Sequence, residues 1–164
     1  MRPQRIEPGP GQESVWDYPR PPALQPVAPR LRVVFGGVEV ADTESGFRVC
    51  ETSHAPAYYF PPGDVDGSVL QPAPGASFCE WKGVAAYFDV VAGARRSERA
   101  AWAYPEPTPA FVPITDYVAF YAGSMDACFV GAEEVSPMGG DFYGGWITSD
   151  LTGPFKGAPG TRHW

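Results

Sequence analysis

The densest chemistry in the sequence lies in Ser77-Phe78-Cys79-Glu80-Trp81-Lys82-Gly83, where a thiol, a carboxylate, an indole and an amine occupy four consecutive positions. Side chains alternate faces along a strand, so Ser77, Cys79 and Trp81 are expected on one face and Phe78, Glu80 and Lys82 on the other. The β-rich run Val84-Ala85-Ala86-Tyr87-Phe88-Asp89-Val90 follows. Between the two, Lys82-Gly83 can form a hairpin loop, with Gly83 taking the positive φ that such loops need. Two readings stand side by side. In the plainer one, Cys79 and Trp81 are buried and Glu80 and Lys82 form an exposed pair. In the sharper one, the hairpin walls a pocket in which Lys82 meets an anionic group, with partners supplied from elsewhere in the chain.

Other residues offer fewer options. Cys79 beside Lys82, with His54 as a base, has the makings of an activated thiol, since a nearby cation lowers a thiol pKa. Its alternation with Trp81 favours an inert buried cysteine instead. Gly36-Gly37 with Asp42-Thr43-Glu44, and the alternating pair Asp64-Val65-Asp66, are the nearest approach to a metal-binding nucleotidyl-transfer motif. The two glycines read as a hairpin rather than a helix start, and Asp64 and Asp66 fall in a Pro/Gly loop, where aspartate serves turns. No phosphate-binding glycine loop occurs.

The elements that must position these groups are strands. Leu31-Arg32-Val33-Val34-Phe35 and Val38-Glu39-Val40-Ala41-Asp42 meet at Gly36-Gly37 and predict a hairpin. Phe47–Thr52 follows as a third strand. The prolines of residues 53–65 restrict that stretch to an edge strand or a loop laid across a sheet. Residues 67–76 read as loop, and residues 77–91 as the hairpin above. Ala100–Tyr104 is a short strand stopped by Pro105, with Trp102 and Tyr104 on one face. Residues 114–121 read as strand after a helical turn, and 126–130 with 133–135 as a last hairpin. The organisation expected is a Pro-rich arm over 1–30, a β domain over 31–135, and a Gly/Pro/aromatic arm over 136–164 packed on it. Trp16 and Tyr18 favour a docked N-terminal arm, and Phe142, Tyr143, Trp146 and Phe155 a docked C-terminal one.

Composition bounds the function. With 164 residues and 14% aromatics, the chain can bury a real core despite 20 prolines and 19 glycines. A net charge of −7 disfavours duplex nucleic acid and anionic membranes as partners. The first eight residues lack an apolar stretch, so no signal peptide is expected, and no run is long enough to span a membrane. Cys50, Cys79 and Cys128 are widely spaced with no Cys-x-x-Cys, so reduced thiols, a cytoplasmic location and no structural zinc are expected. Neither a cofactor nor a metal is called for, and self-association into a homo-oligomer is compatible with this composition.

Three segments carry a resemblance: residues 51–65, Phe78-Cys79-Glu80-Trp81-Lys82-Gly83-Val84-Ala85-Ala86-Tyr87, and Ala101-Trp102-Ala103-Tyr104-Pro105-Glu106-Pro107 followed by Ala119-Phe120-Tyr121. Together they resemble the bacterial domain-of-unknown-function family 427, sometimes labelled nucleotidyltransferase-like, over roughly residues 31–135. The resemblance implies a mainly β fold of two small antiparallel sheets leaning together as a β-tent, as in methionine sulfoxide reductase B and the drug-binding domain of cereblon. Zinc in such folds is held by paired Cys-x-x-Cys motifs, which this chain lacks. The family's name assigns no activity.

The aromatic set in these segments makes the leading expectation a small-molecule pocket walled by Tyr59, Trp81, Trp102, Tyr104 and Tyr121. Glu51, Ser53 and Lys82 would add its polar groups, with Lys82 pairing with Glu51 or with an anionic ligand. Any catalysis would fall to Lys82, Glu51 or Cys79. Two alternatives remain: a metal-dependent nucleotidyltransferase-like enzyme, and an interaction module whose Pro-rich arm recruits a protein partner.

Overall fold

The computed structural model describes residues 3–140 and 142–164. Within them no α-helix forms; strands alternate with short 3-10 turns. The N-terminal arm contributes β1 (Glu13–Ser14) and β2 (Ala23–Pro26). Next come β3 (Leu31–Phe35), β4 (Val38–Thr43), β5 (Phe47–Cys50) and β6 (Ala57–Tyr59). The long strands are β7 (Leu70–Cys79), β8 (Gly83–Ala92) and β9 (Arg95–Ala103). Then follow β10 (Val118–Phe120), β11 (Ala127–Val130) and β12 (Glu133–Glu134), and in the C-terminal arm β13 (Ser136–Pro137), β14 (Trp146–Ile147) and β15 (Leu151–Thr152).

The strands assemble into small antiparallel sheets, the mainly β architecture that the sequence predicts. One sheet has the order β10-β9-β8-β7, a second β12-β11-β3-β4, and a third β2-β5-β6. Two further two-stranded pairs, β1-β15 and β13-β14, bring in the arms, so more sheets form than the two expected, and β2 from the Pro-rich arm makes one edge of the third by pairing with β5. Phe60 and Val118 exchange backbone hydrogen bonds at 2.8 and 2.9 Å, which stitches the chain beyond β6 to the start of β10. The arms also pair with each other: β1 runs parallel to β15.

Local chemistry explains most of these elements. Gly36 and Gly37, both at positive φ (63° and 76°), close the β3–β4 hairpin as the sequence predicts. Residues 67–76, expected as loop, instead enter a 3-10 turn (Gly67–Val69) and then β7. Pro72 and Pro74 are accommodated because β7 is an edge strand, where an outward-facing backbone position needs no N–H. The register shift between Pro72 and Ala76, with Gly75 at φ 88°, is the bulge that absorbs them. Likewise β9 begins at Arg95, five residues before the expected strand, because its charged first half is solvated rather than buried.

Three apolar clusters hold the sheets together. The largest includes Leu31, Val33, Phe35, Phe60, Phe120 and Trp146. A second contains Val49, Tyr59, Trp102, Tyr104, Phe111 and Ile114, with Trp81 and Tyr121 packed on it. The third joins the arms through Val15, Tyr18, Cys50, Met138 and Leu151. The second cluster forms the floor on which the candidate site is built.

Candidate functional site

The turn between β7 and β8 takes three residues, Glu80-Trp81-Lys82, rather than the two expected, with Gly83 opening β8 at φ 111°. This frees Trp81 and Lys82 from strand alternation, so both face the same cavity as Cys79. Thr108 pins the turn: its N–H donates to the Lys82 carbonyl at 3.0 Å and its hydroxyl to the Trp81 carbonyl at 2.6 Å. A side chain at Gly83 would crowd the Glu106 carbonyl, the predicted Cβ lying 3.2 Å from it. The backbone from which Lys82 springs is therefore held in place at the rim of the cavity.

Opposite the turn stands an aromatic wall. Tyr87 on β8 and Trp102 on β9 are direct cross-strand neighbours. The Trp102 indole N–H donates to the Tyr59 hydroxyl at 3.2 Å, and the two rings meet edge to face at 6.2 Å. Trp102 also lies 4.6 Å from the Tyr121 ring, and Tyr104 lies 6.4 Å from Tyr59. Ser77 and Tyr87 share a hydroxyl–hydroxyl bond of 2.7 Å. These groups, with Val49, Ala57 and residues of the C-terminal arm, enclose a cavity of about 310 Å³. A neighbouring cavity shares Tyr87, Tyr121 and Gly144 and is lined further by Glu98 and Arg99.

Of the residues singled out from the sequence, Glu51, Tyr59, Cys79, Trp81, Lys82, Trp102, Tyr104 and Tyr121 all line this cavity. Ser53 does not. The tight turn closed by His54 N–H to the Glu51 carbonyl (3.0 Å) puts Ser53 in left-handed backbone at φ 73°. Its side chain is thereby buried away from the cavity, and its hydroxyl has no partner among the described residues.

The expected Lys82–Glu51 ion pair also takes another form. Glu51 is claimed by Arg20 of the N-terminal arm at 3.2 Å and lies 3.9 Å from His54 Nδ1. Lys82 makes no ion pair with a carboxylate among the described residues, and its ammonium lies 5.7 Å from the centre of the Tyr104 ring. Burial alone would lower the Lys82 pKa, but the Tyr59, Cys79 and Glu51 groups around it outweigh that and raise it. The cavity thus presents a charged, half-buried ammonium. Burial keeps Tyr59, Tyr104 and Tyr121 protonated, their pKa values raised. It lowers that of His54, against the opposing pull of Glu51.

Some of the residues that the sequence reading left out of the site, such as Val49, Ser77 and Tyr87, lie on the sheets, and others come from the C-terminal arm. Phe142, Tyr143, Gly144, Gly145 and Lys156 join the cavity wall, and Phe142 and Phe78 stand at it with most of their surface exposed. The three aspartates considered for metal binding are occupied elsewhere. Asp42 pairs with Arg30, Asp64 accepts from Thr43 at 2.6 Å, and Asp66 caps the turn at Ser68 at 3.0 Å. Among the described residues no cluster of three or more His, Cys, Asp or Glu side chains could hold a metal ion, and no helix is long and apolar enough to cross a membrane.

A search of curated proteins finds no match. A family model does match residues 23–131, from the first residue of β2 to the residue after β11. The match takes in the Glu51, Lys82 and Trp102 side of the cavity and stops short of its C-terminal wall. The chain belongs to the family described as Domain of unknown function (DUF427).

Proposed function

We propose that this protein binds a small molecule with an aromatic or apolar body and an anionic group, the body against Trp81, Trp102 and Tyr104 and the anion on Lys82. The observation that carries this reading is Lys82 itself. Its ammonium is half-buried and charged at an aromatic-walled cavity, and no described carboxylate forms an ion pair with it. Such a charge is poorly solvated, and an anion arriving from solution would supply the missing counter-charge. The three free thiols fit a reducing compartment, and we place the protein in the cytoplasm. Binding is the role the geometry supports; if turnover accompanies it, Lys82, Glu51 and Cys79 are the groups in reach of the ligand.

The test is a thermal-shift screen over metabolites and nucleotides, run in parallel on the wild type and Lys82→Met. A ligand that binds only the native state raises its melting temperature. Anionic hits that shift the wild type but not the variant support the reading. Hits that shift both equally would remove Lys82 from the site.

A further inference from the structure

The turn after β5 brings a further polar group to the cavity wall: His54, whose side chain is only 15% exposed. Its Nδ1 lies 2.9 Å from the Thr52 carbonyl oxygen. A carbonyl can only accept, so Nδ1 carries the ring proton and Nε2 keeps a lone pair. The Tyr143 ring, itself part of the cavity wall, meets the imidazole edge to face at 5.2 Å. Nε2 has no hydrogen-bond partner among the described residues. Nor is it sealed in: the fully enclosed unpartnered side-chain atoms among those residues are Arg5 Nε and Ser53 Oγ.

The charges around the ring leave it neutral. Burial lowers the His54 pKa, Glu51 opposes this, and Lys156 and Arg20 add to it. Those two cations are themselves engaged, each donating at 3.2 Å to an oxygen of Trp164, the last residue of the sequence. Other polar groups of the wall are also matched within the protein. Glu51 is held by Arg20, Tyr59 accepts from Trp102, and Tyr121 donates to the Phe142 carbonyl at 3.0 Å. Ser77 and Tyr87 bond to each other. His54 Nε2 is thus an open acceptor on the wall that also carries the Lys82 ammonium.

We propose that the ligand of this cavity carries a hydroxyl beside its anionic group, the hydroxyl donating to His54 Nε2 and the anion meeting Lys82. This inference rests on the small-molecule reading above and narrows it from anions in general to aromatic hydroxy acids. A ligand without the hydroxyl would strip water from Nε2 and return no hydrogen bond, and a methyl ether has no proton to give. The site would select against both.

The experiment titrates the protein with hydroxybenzoates, hydroxyphenylacetates and hydroxycinnamates, ortho, meta and para. Each is set against its unsubstituted acid and its methyl ether, by calorimetry and by the fluorescence of the cavity tryptophans. The wild type is expected to bind at least one hydroxy acid about tenfold more tightly than both of its counterparts. His54→Phe keeps a ring against Tyr143 but removes the acceptor, and should bring that ratio to about one. Melting curves show whether the variant folds. Whether it does or not, nitrogen NMR of the wild type, assigned against His163→Gln, reads the ring directly: His54 Nε2 should be unprotonated and should shift when the hydroxy acid binds. A proton on Nε2 at neutral pH, or a hydroxyl preference that persists in His54→Phe, would overturn the role of His54. Equal affinity for hydroxy acid, acid and ether, all lost in Lys82→Met, would overturn the hydroxyl inference and leave the small-molecule reading standing. If none of these probes binds, the inference falls, and the thermal-shift screen decides the small-molecule reading separately.

Discussion

Gly144 packs directly against the Trp102 indole: a Cβ at Gly144 would stand 2.1 Å from ring carbon Cη2. Backbone of the C-terminal arm therefore covers the aromatic centre of the cavity with no side chain between them. Gly144→Ala should push the ring out of place and destabilise the protein by about 1–3 kcal/mol, the usual range for overpacking. A chemical denaturation curve and the tryptophan emission spectrum would both register it. Unchanged stability and emission would mean that the arm can lift off the ring.

Trp102 itself is 7% exposed and joins Tyr59, Tyr121 and Tyr87 into one contact set. Trp102→Ala should cost roughly 3–5 kcal/mol, as for other buried large aromatics. Lys82→Met is expected to behave in the opposite way. It removes a half-buried charge that has no carboxylate partner among the described residues, so the melting temperature should hold or rise while anion binding is lost. Destabilisation by Lys82→Met comparable to that of Trp102→Ala would show a structural lysine.

The three thiols should differ sharply in reactivity. Burial pushes the Cys50 pKa up to about 11 and that of Cys128 to about 12, and both are almost wholly inaccessible. Cys79 is half-buried and lines the cavity. A small disulfide reagent at mildly alkaline pH should label Cys79 alone in the native protein, and Cys50 and Cys128 only after denaturation. Mass spectrometry of the labelled peptides identifies the site, and a bound ligand should slow the reaction.

The legible part of this molecule is the part fixed by neighbours in sequence. Gly36-Gly37 between two β-branched runs could only be a tight hairpin. The three aromatic segments read from the sequence do converge on one cavity. What the sequence hid depends on distant partners. Pro72 and Pro74 read as a loop because nothing local says that β7 is an edge strand with a bulge. Ser53 and Glu51 looked like side-by-side site residues until a left-handed turn sent them in different directions. Arg20 and Lys156 carry no periodic signal at all; each reaches the Glu51 turn only because the arms pair with the sheets and with each other.

Acid should weaken the fold in two separate windows. The His54 pKa is lowered, chiefly by burial, so below about 6.5 the unfolded chain takes up a proton that the folded one resists. Unfolded chains then bind more protons than folded ones, and stability falls as the pH drops from about 7 toward 5. The second window lies near pH 4 and below, where Asp42, Asp89 and Asp126 become protonated. Their arginine pairs and backbone hydrogen bonds hold their pKa values below the ordinary carboxylate range. Urea denaturation at stepped pH resolves the two, and His54→Gln should flatten the upper window while leaving the lower one. A variant with the same slope between pH 7 and 5 would assign that window to another group.

The C-terminal arm should be inseparable from the fold. Trp146 is fully buried in the largest core cluster, donates its indole N–H to the Phe120 carbonyl at 2.9 Å, and stacks on Tyr58 at 5.1 Å. Trp146→Ala should therefore cost about 3–5 kcal/mol, a large share of the stability of a domain this size. Truncation after Ser136 removes Trp146 together with Met138 and Leu151, which are buried in the third cluster. It also leaves β1 without its partner β15. The truncated chain should lose its cooperative melting transition and expose apolar surface to a hydrophobic dye. If it kept a melting temperature within a few degrees of the full chain, the Trp146 pocket would contribute little, and the arm would be an accessory to the site rather than part of the core.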